Sequence, residues 1–206
     1  GNQDNIVLDE DSYQSPMNAY GSTKRAIENM LADFKIAHDF EYVIFRYFNV
    51  AGADPDAEIG EFHRPETHLI PLILDTIDGK NDKLTIYGTD YDTPDGTCIR
   101  DYVHVCDIVD AHILGLNWLL DNKDSQIFNL GTGHGFSVYE VIDQIKKTTK
   151  KDLLIKRGPR RAGDCSKLVS GSTRASTELG WSIKRSDLRT MVSDAWRWHK
   201  IGFYEE

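Results

Sequence analysis

The sequence predicts an α/β fold on three observations. Runs rich in β-branched and aromatic residues alternate with stretches of helical apolar spacing, one such run is apolar almost throughout, and Gly-, Pro- and Asp-rich segments separate them. A helix is expected over 20–38, where Ala26, Ile27, Met30, Leu31, Phe34 and Ala37 recur three and four residues apart and define one buried face. Residues 41–49 follow as a strand whose near-continuous apolar character suits a central parallel strand covered on both faces. Residues 49–66, rich in Gly, Pro, Asp and Glu, read as a long excursion of the kind that carries function. Helical spacing returns over 69–77, strand character over 83–88, a helix over 107–120 and a strand over 126–130. Ser137 is the expected cap of a helix over 138–148, and a strand at 153–156 with helices at 172–179 and 186–199 completes the order. There is no internal repeat and no low-complexity segment.

With 206 residues, 40% of them hydrophobic, the chain can bury a sizeable core in one large or two small domains. A net charge of −9 without any Lys/Arg-rich block argues against nucleic acid and anionic membrane surfaces as partners. No apolar run reaches membrane-span length, residues 1–5 lack the charged-then-apolar pattern of a secretory signal, and the expected location is the cytoplasm. Cys98, Cys106 and Cys165 are odd in number and form no Cys-x-x-Cys pair, so they read as structural or incidental.

Tyr20 and Lys24 carry the strongest chemical signal. A Tyr-x-x-x-Lys spacing on a helix puts the phenol and the ammonium on one face, where the positive charge favours the phenolate and makes Tyr20 a candidate general base. Gly131-Thr132-Gly133-His134-Gly135 is not a dinucleotide fingerprint: its glycines alternate, and Asp152 precedes a strand where a ribose-binding acid would end one. Those glycines are expected to serve a strand-to-helix turn with positive φ. His63, Glu66 and His68 lack the His-Glu-x-x-His spacing of a helix-borne zinc site, and no metal is expected. Arg100-Asp101-Tyr102-Val103-His104-Val105 and Arg160-Arg161-Ala162-Gly163-Asp164 sit in polar, loop-like surroundings. The residues alone leave open whether these arginines meet a diphosphate or form internal salt bridges.

Taken in order, several segments resemble the UDP-glucose 4-epimerase (UDP-galactose 4-epimerase) family of the extended short-chain dehydrogenase/reductase superfamily. They are Asn18-Ala19-Tyr20-Gly21-Ser22-Thr23-Lys24, Arg46-Tyr47-Phe48-Asn49-Val50-Ala51-Gly52-Ala53, Thr67-His68-Leu69-Ile70-Pro71, Ile86-Tyr87-Gly88-Thr89-Asp90-Tyr91, Asp95 to Val105, Asn129-Leu130-Gly131-Thr132-Gly133, Arg160 to Asp164 and Glu178-Leu179-Gly180-Trp181. The resemblance implies the final part of a Rossmann-type parallel-sheet domain over 1–50, with Tyr-x-x-x-Lys, plus a smaller α/β substrate-binding domain over 51–206. Some segments near 100–135 would return to the Rossmann domain.

The implied activity is NAD-dependent epimerisation at C4 of UDP-galactose and UDP-glucose. Tyr20 would take the 4-hydroxyl proton while the 4-hydrogen leaves as hydride to NAD, and the resulting 4-keto sugar would turn over before the return step. Lys24 would hold the nicotinamide ribose, and Phe48 would line the nicotinamide pocket. Asn49, Leu84, Thr85, Ile86, Tyr87 and Tyr102 would flank the UDP moiety, with Arg100 and Arg161 on the diphosphate and Asp164 on the uridine ribose. A diphosphate-proximal position often held by asparagine falls on His68. The position that gates the sugar 2-substituent falls near Leu168, which leaves N-acetylated sugars open. The family's Gly-rich NAD fingerprint is absent from the sequence, and Gly1 matches the glycine that closes a serine-bearing catalytic segment. The chain is therefore expected to hold the substrate half and to be silent alone, with apolar sheet edges that call for the missing part. A homodimer through the helix at 20–38 is implied. A related nucleotide-sugar dehydratase or decarboxylase and a non-catalytic UDP-sugar-binding module are the alternatives.

Overall fold

The computed structural model describes residues 7–202, so Gly1 lies outside the described residues. Fourteen elements follow one another: α1 (Ala19–His38), β1 (Val43–Tyr47), β2 (Asn49–Ala51), α2 (Leu69–Ile77), β3 (Leu84–Tyr87), β4 (Ile99–His104), α3 (Val105–Leu120), β5 (Gln126–Leu130), β6 (Gly135–Ser137), α4 (Val138–Thr149), β7 (Ile155–Gly158), β8 (Lys167–Leu168), α5 (Thr173–Thr177) and α6 (Leu188–His199). The α/β class holds, and most pairings are parallel: β1 with β5, β2 with β4, β3 with β7 and β4 with β8, while β4 and β6 run antiparallel.

The local reasons are read easily. Ser137 accepts the Glu140 N–H and Glu140 returns a bond to the Ser137 N–H, a capping box that starts α4. Asp187 caps α6 through the Thr190 N–H, and Asn18 caps α1 through the Gly21 N–H. Two cores form. One joins α2, α4 and α6 to β3 around Ile73, Ile145 and Met191; the other packs α3 and β5 around Phe128, Leu130 and Trp181.

β4 separates these cores. Along a strand, successive side chains point to opposite faces, so Tyr102 enters the first core while Val103 enters the second. Asp101, fully buried, accepts from the Thr132 backbone and hydroxyl, the Gly133 N–H and the Ser170 N–H, which ties β4 to the β5–β6 turn and the segment after β8. Burial raises the Asp101 carboxyl above its ordinary range against the pull of these bonds.

Several expectations need correction. The apolar stripe of α1 is not a buried face: Ile27, Met30 and Phe34 are about half exposed, and no α1 residue is buried. The half-buried face instead carries Gly21, Arg25, Glu28, Leu31 and Lys35, because charge pairing turns it inward. Glu28 accepts from two Arg46 nitrogens, Nε and Nη2, at 2.8 and 2.6 Å, and Lys35 meets Glu41. The strand expected over 41–49 splits at Phe48 into β1 and β2, which belong to different sheets, and β1 is only half-buried. The surroundings of Arg100 are strand, not loop. β6 and β8 are strands that no local pattern predicts, and β7 lies two residues later than expected. Of the three alternating glycines only Gly133 has positive φ; Gly131 and Gly135 admit close packing, since a Cβ at Gly131 would lie 2.1 Å from the Ser170 oxygen.

Replacing Asp101 with Asn would turn an amide NH2 toward donors that need an acceptor. We expect Asp101→Asn to lower the unfolding free energy by about 1–3 kcal/mol, read as a reduced urea midpoint at unchanged slope.

Candidate active site

A cavity of about 1540 Å³ opens between α1, the β2 end, the 54–68 excursion, β3, β4 and α6. Its lining includes Tyr20, Phe48, Asn49, His68, Leu84, Thr85, Ile86, Tyr87, Arg100, Tyr102, Arg161 and Asp164, so twelve of the singled-out residues converge on one space. Lys24 and Leu168 are not among the lining residues. Lys24 stands one turn behind Tyr20 with its Nζ 5.3 Å from the phenol ring centroid, and Leu168 sits half-buried on β8 opposite Arg100.

Each wall follows from a local rule. The α1 start presents Tyr20 outward, 72% exposed, on the cavity wall. β2 and β4 run side by side with Asn49 opposite Tyr102. The β4 alternation that buries Asp101 on one face turns Arg100 and Tyr102 to the other. Burial pushes the Tyr102 phenol well above its ordinary range, which marks it as a neutral hydroxyl. β3 buries Leu84 and Ile86 and leaves Tyr87 exposed at the strand end.

Two cations, Arg100 and Arg161, line the cavity. Burial opposes the Arg100 charge, but Cys98 and Cys165, which are thiolates at the alkaline pH where an arginine titrates, and the Asp164 carboxylate hold its proton more tightly than usual. Its Nη2 lies 3.2 Å from Asp164 Oδ1, so in this state the salt-bridge reading applies to Arg100. Arg161 stacks on the Tyr87 ring at 4.2 Å. Arg160 faces away from the cavity, over the Tyr91 ring at 4.3 Å and paired with Asp90. Cys98 lines the cavity, and burial pushes its thiol up, which keeps it a neutral thiol.

His63, Glu66 and His68 bring ligand-type atoms within 4.8 Å of one another, closer than their sequence spacing suggested. His68 Nδ1 also contacts Glu61 Oε1. Glu61, Ile59, Cys98 and Trp198 line the cavity without having been singled out. Trp198 comes from α6, far along the chain, and no local pattern marks it.

Comparison with known proteins agrees with this geometry. Residues 1–131 match the model of the NAD dependent epimerase/dehydratase family. The chain belongs to that family. It is 47% identical over 195 residues to a UDP-glucose 4-epimerase of Lactobacillus helveticus, which covers 95% of this chain and 59% of that protein. A crystal structure of a UDP-glucose 4-epimerase superposes with a TM-score of 0.91 at 48% identity, over 97% of this chain and 61% of the other. The Bifidobacterium longum UDP-glucose 4-epimerase in complex with NAD+ and UDP superposes with a TM-score of 0.88 at 32% identity, over 96% and 59%. The chain thus spans about three-fifths of the length of these epimerase/dehydratase relatives.

Gly52 of this family member lines the cavity floor at φ +88, and a Cβ there would lie 2.6 Å from the buried His104 Nε2. Gly52→Ala is expected to destabilise by about 1–3 kcal/mol, measured as a fall in the thermal midpoint.

Proposed function

We propose that this chain forms the substrate-binding part of an NAD-dependent UDP-glucose 4-epimerase, interconverting UDP-galactose and UDP-glucose through a transient 4-keto sugar. One observation carries the reading: a single cavity is lined by the phenol of a Tyr-x-x-x-Lys pair together with two arginines, an aromatic ring and an acid. Those are the groups a nucleotide sugar requires, with proton chemistry for the sugar and positive charge for the diphosphate.

In this reading Tyr20 takes the proton of the sugar 4-hydroxyl and returns it after the ring has turned over. Lys24 places a positive charge beside it. The residues present fit the nicotinamide end of NAD, since Tyr20 and Phe48 both line the cavity; NAD, when bound, supplies reversible oxidation of the sugar C4. Arg100 and Arg161 neutralise the diphosphate, Asp164 accepts from the uridine ribose hydroxyls, and Tyr87 offers its ring to the base. Asn49, Tyr102 and His68 donate along the nucleotide, while Leu84, Thr85 and Ile86 form its wall. Leu168 acts from behind Arg100 on the space beside the sugar.

Residues 1–50 then belong to the NAD-binding domain and most of 51–206 to the UDP-sugar domain, with the pairing of β5 on β1 supporting a return of the segment near 100–135 to the former. We infer a homodimer through α1, supported by the exposed Ile27, Met30 and Phe34 stripe, and a cytoplasmic location, supported by three cysteines that are all free thiols.

In the protein with its NAD-binding part present, Tyr20→Phe is expected to lower kcat by at least about 100-fold and to leave the Kd for UDP unchanged by calorimetry. Retained turnover would refute the assignment.

A further inference from the structure

His68 is gripped twice. Glu66 Oε1 accepts the Thr67 and His68 backbone N–H groups at 2.6 and 2.7 Å, and the His68 ring directs Nδ1 at Glu61 Oε1. An ionised carboxylate only accepts, so this contact places the hydrogen on Nδ1. Glu61 is itself held from α6, where Trp198 Nε1 donates to its carbonyl at 2.9 Å. The ring's other nitrogen, Nε2, has no partner among the described residues, and both His68 and Glu61 line the cavity.

We propose that Glu61 is a positioning residue of the diphosphate subsite: by fixing the Nδ1–H of His68 it presents Nε2–H, in the imidazolium form, to a phosphate oxygen. The inference rests on the UDP-sugar reading of the cavity. An asparagine amide carries its donor on a fixed atom, whereas an imidazole bonded through Nδ1–H donates from Nε2 only as the imidazolium, a form that a carboxylate at Nδ1 favours and orients. The groups facing the ring complete the charge balance. Glu61 and Glu66 offer two carboxylates, with Glu66 Oε1 3.6 Å from Nδ1. The only other titratable group seen against the ring among the described residues is His63, stacked at 5.1 Å and 3.7 Å from the same Glu66 oxygen. With Nδ1–H on Glu61 and Nε2–H presented outward, the imidazolium has no lone pair for a cation, and the cluster is read as a hydrogen-bonded donor to an anion.

The test is a double-mutant cycle on the Kd for UDP, by calorimetry with the NAD-loaded protein. Glu61→Ala is expected to weaken UDP about 10-fold in the unaltered background, the scale of one charged hydrogen bond, and to have no effect in a His68→Asn background. Glu61→Gln, which keeps an acceptor and the side-chain volume, should weaken UDP less than Glu61→Ala and covers the case in which the alanine variant unfolds. Equal losses in both backgrounds would show that Glu61 merely supports the loop, and would overturn the inference while leaving the UDP reading intact. An unaltered protein that binds no UDP would overturn that reading, and this inference with it.

Discussion

Strand β4 is the constraint on which the rest of the molecule depends. It pairs with β2, β6 and β8 at once, and its two faces serve different cores. Its alternation can have only one register, because a slip by one residue would turn the acid Asp101 into the cavity and withdraw Arg100 and Tyr102 from it. The Asp101 carboxylate resists that slip: it accepts from the Thr132 and Ser170 N–H groups and shares the Gly133 N–H with the Ser170 carbonyl. The same strand ends in His104, whose Nδ1 accepts the Cys106 N–H at the start of α3 and whose Nε2 faces buried Asp194 on α6. Fold and cavity are thus built on one hydrogen-bonded element.

The charge distribution follows from this scaffold. The chain carries a net charge of −9, and its cavity wall sets two arginines, Arg100 and Arg161, among four carboxylates, Asp54, Glu61, Asp110 and Asp164. Arg100 is paired in its largely buried position with the Asp164 carboxylate, and Arg161 rests on an aromatic face with no ion pair among the described residues. An anion entering such a wall is met by individually placed arginines and not by an overall field. The apolar surface is distributed differently. On α3, Val109, Ile113, Leu116 and Leu120 are all more than half exposed, a second apolar stripe on a helix that packs on β1 and β5, while α1 is tied to β1 through Glu28 and Arg46.

Local signals carried the sequence reading a long way. The capping pair at Ser137 and Glu140, the apolar period of 69–77 and the β-rich run at 126–130 each predicted an element that formed, because their stabilising interactions lie within a few residues. The reading failed where partners are distant. β6 and β8 exist only because β4 is there to bond them, and the Arg100 segment is a strand for the same reason, despite polar residues that suggested a loop. On α1 the apolar period was real but its orientation was not legible, since Arg46 and Glu41 turn the polar face inward from outside the helix.

By itself, the sequence determined the α/β class, the order of its main elements and the residue types able to do proton and diphosphate chemistry, since all of these reside in short-range pattern and side-chain identity. Only the tertiary structure decided which of them meet. It brought Tyr20, His68, Arg100 and Arg161 to one cavity, sent Arg160 to Asp90, left Leu168 beside β4, and set Trp198 on Glu61 and Glu61 on His68. These outcomes depend on strand register and on contacts between residues far apart in the chain, and such contacts form only when non-local pairing repays the entropy of closing the loops between them.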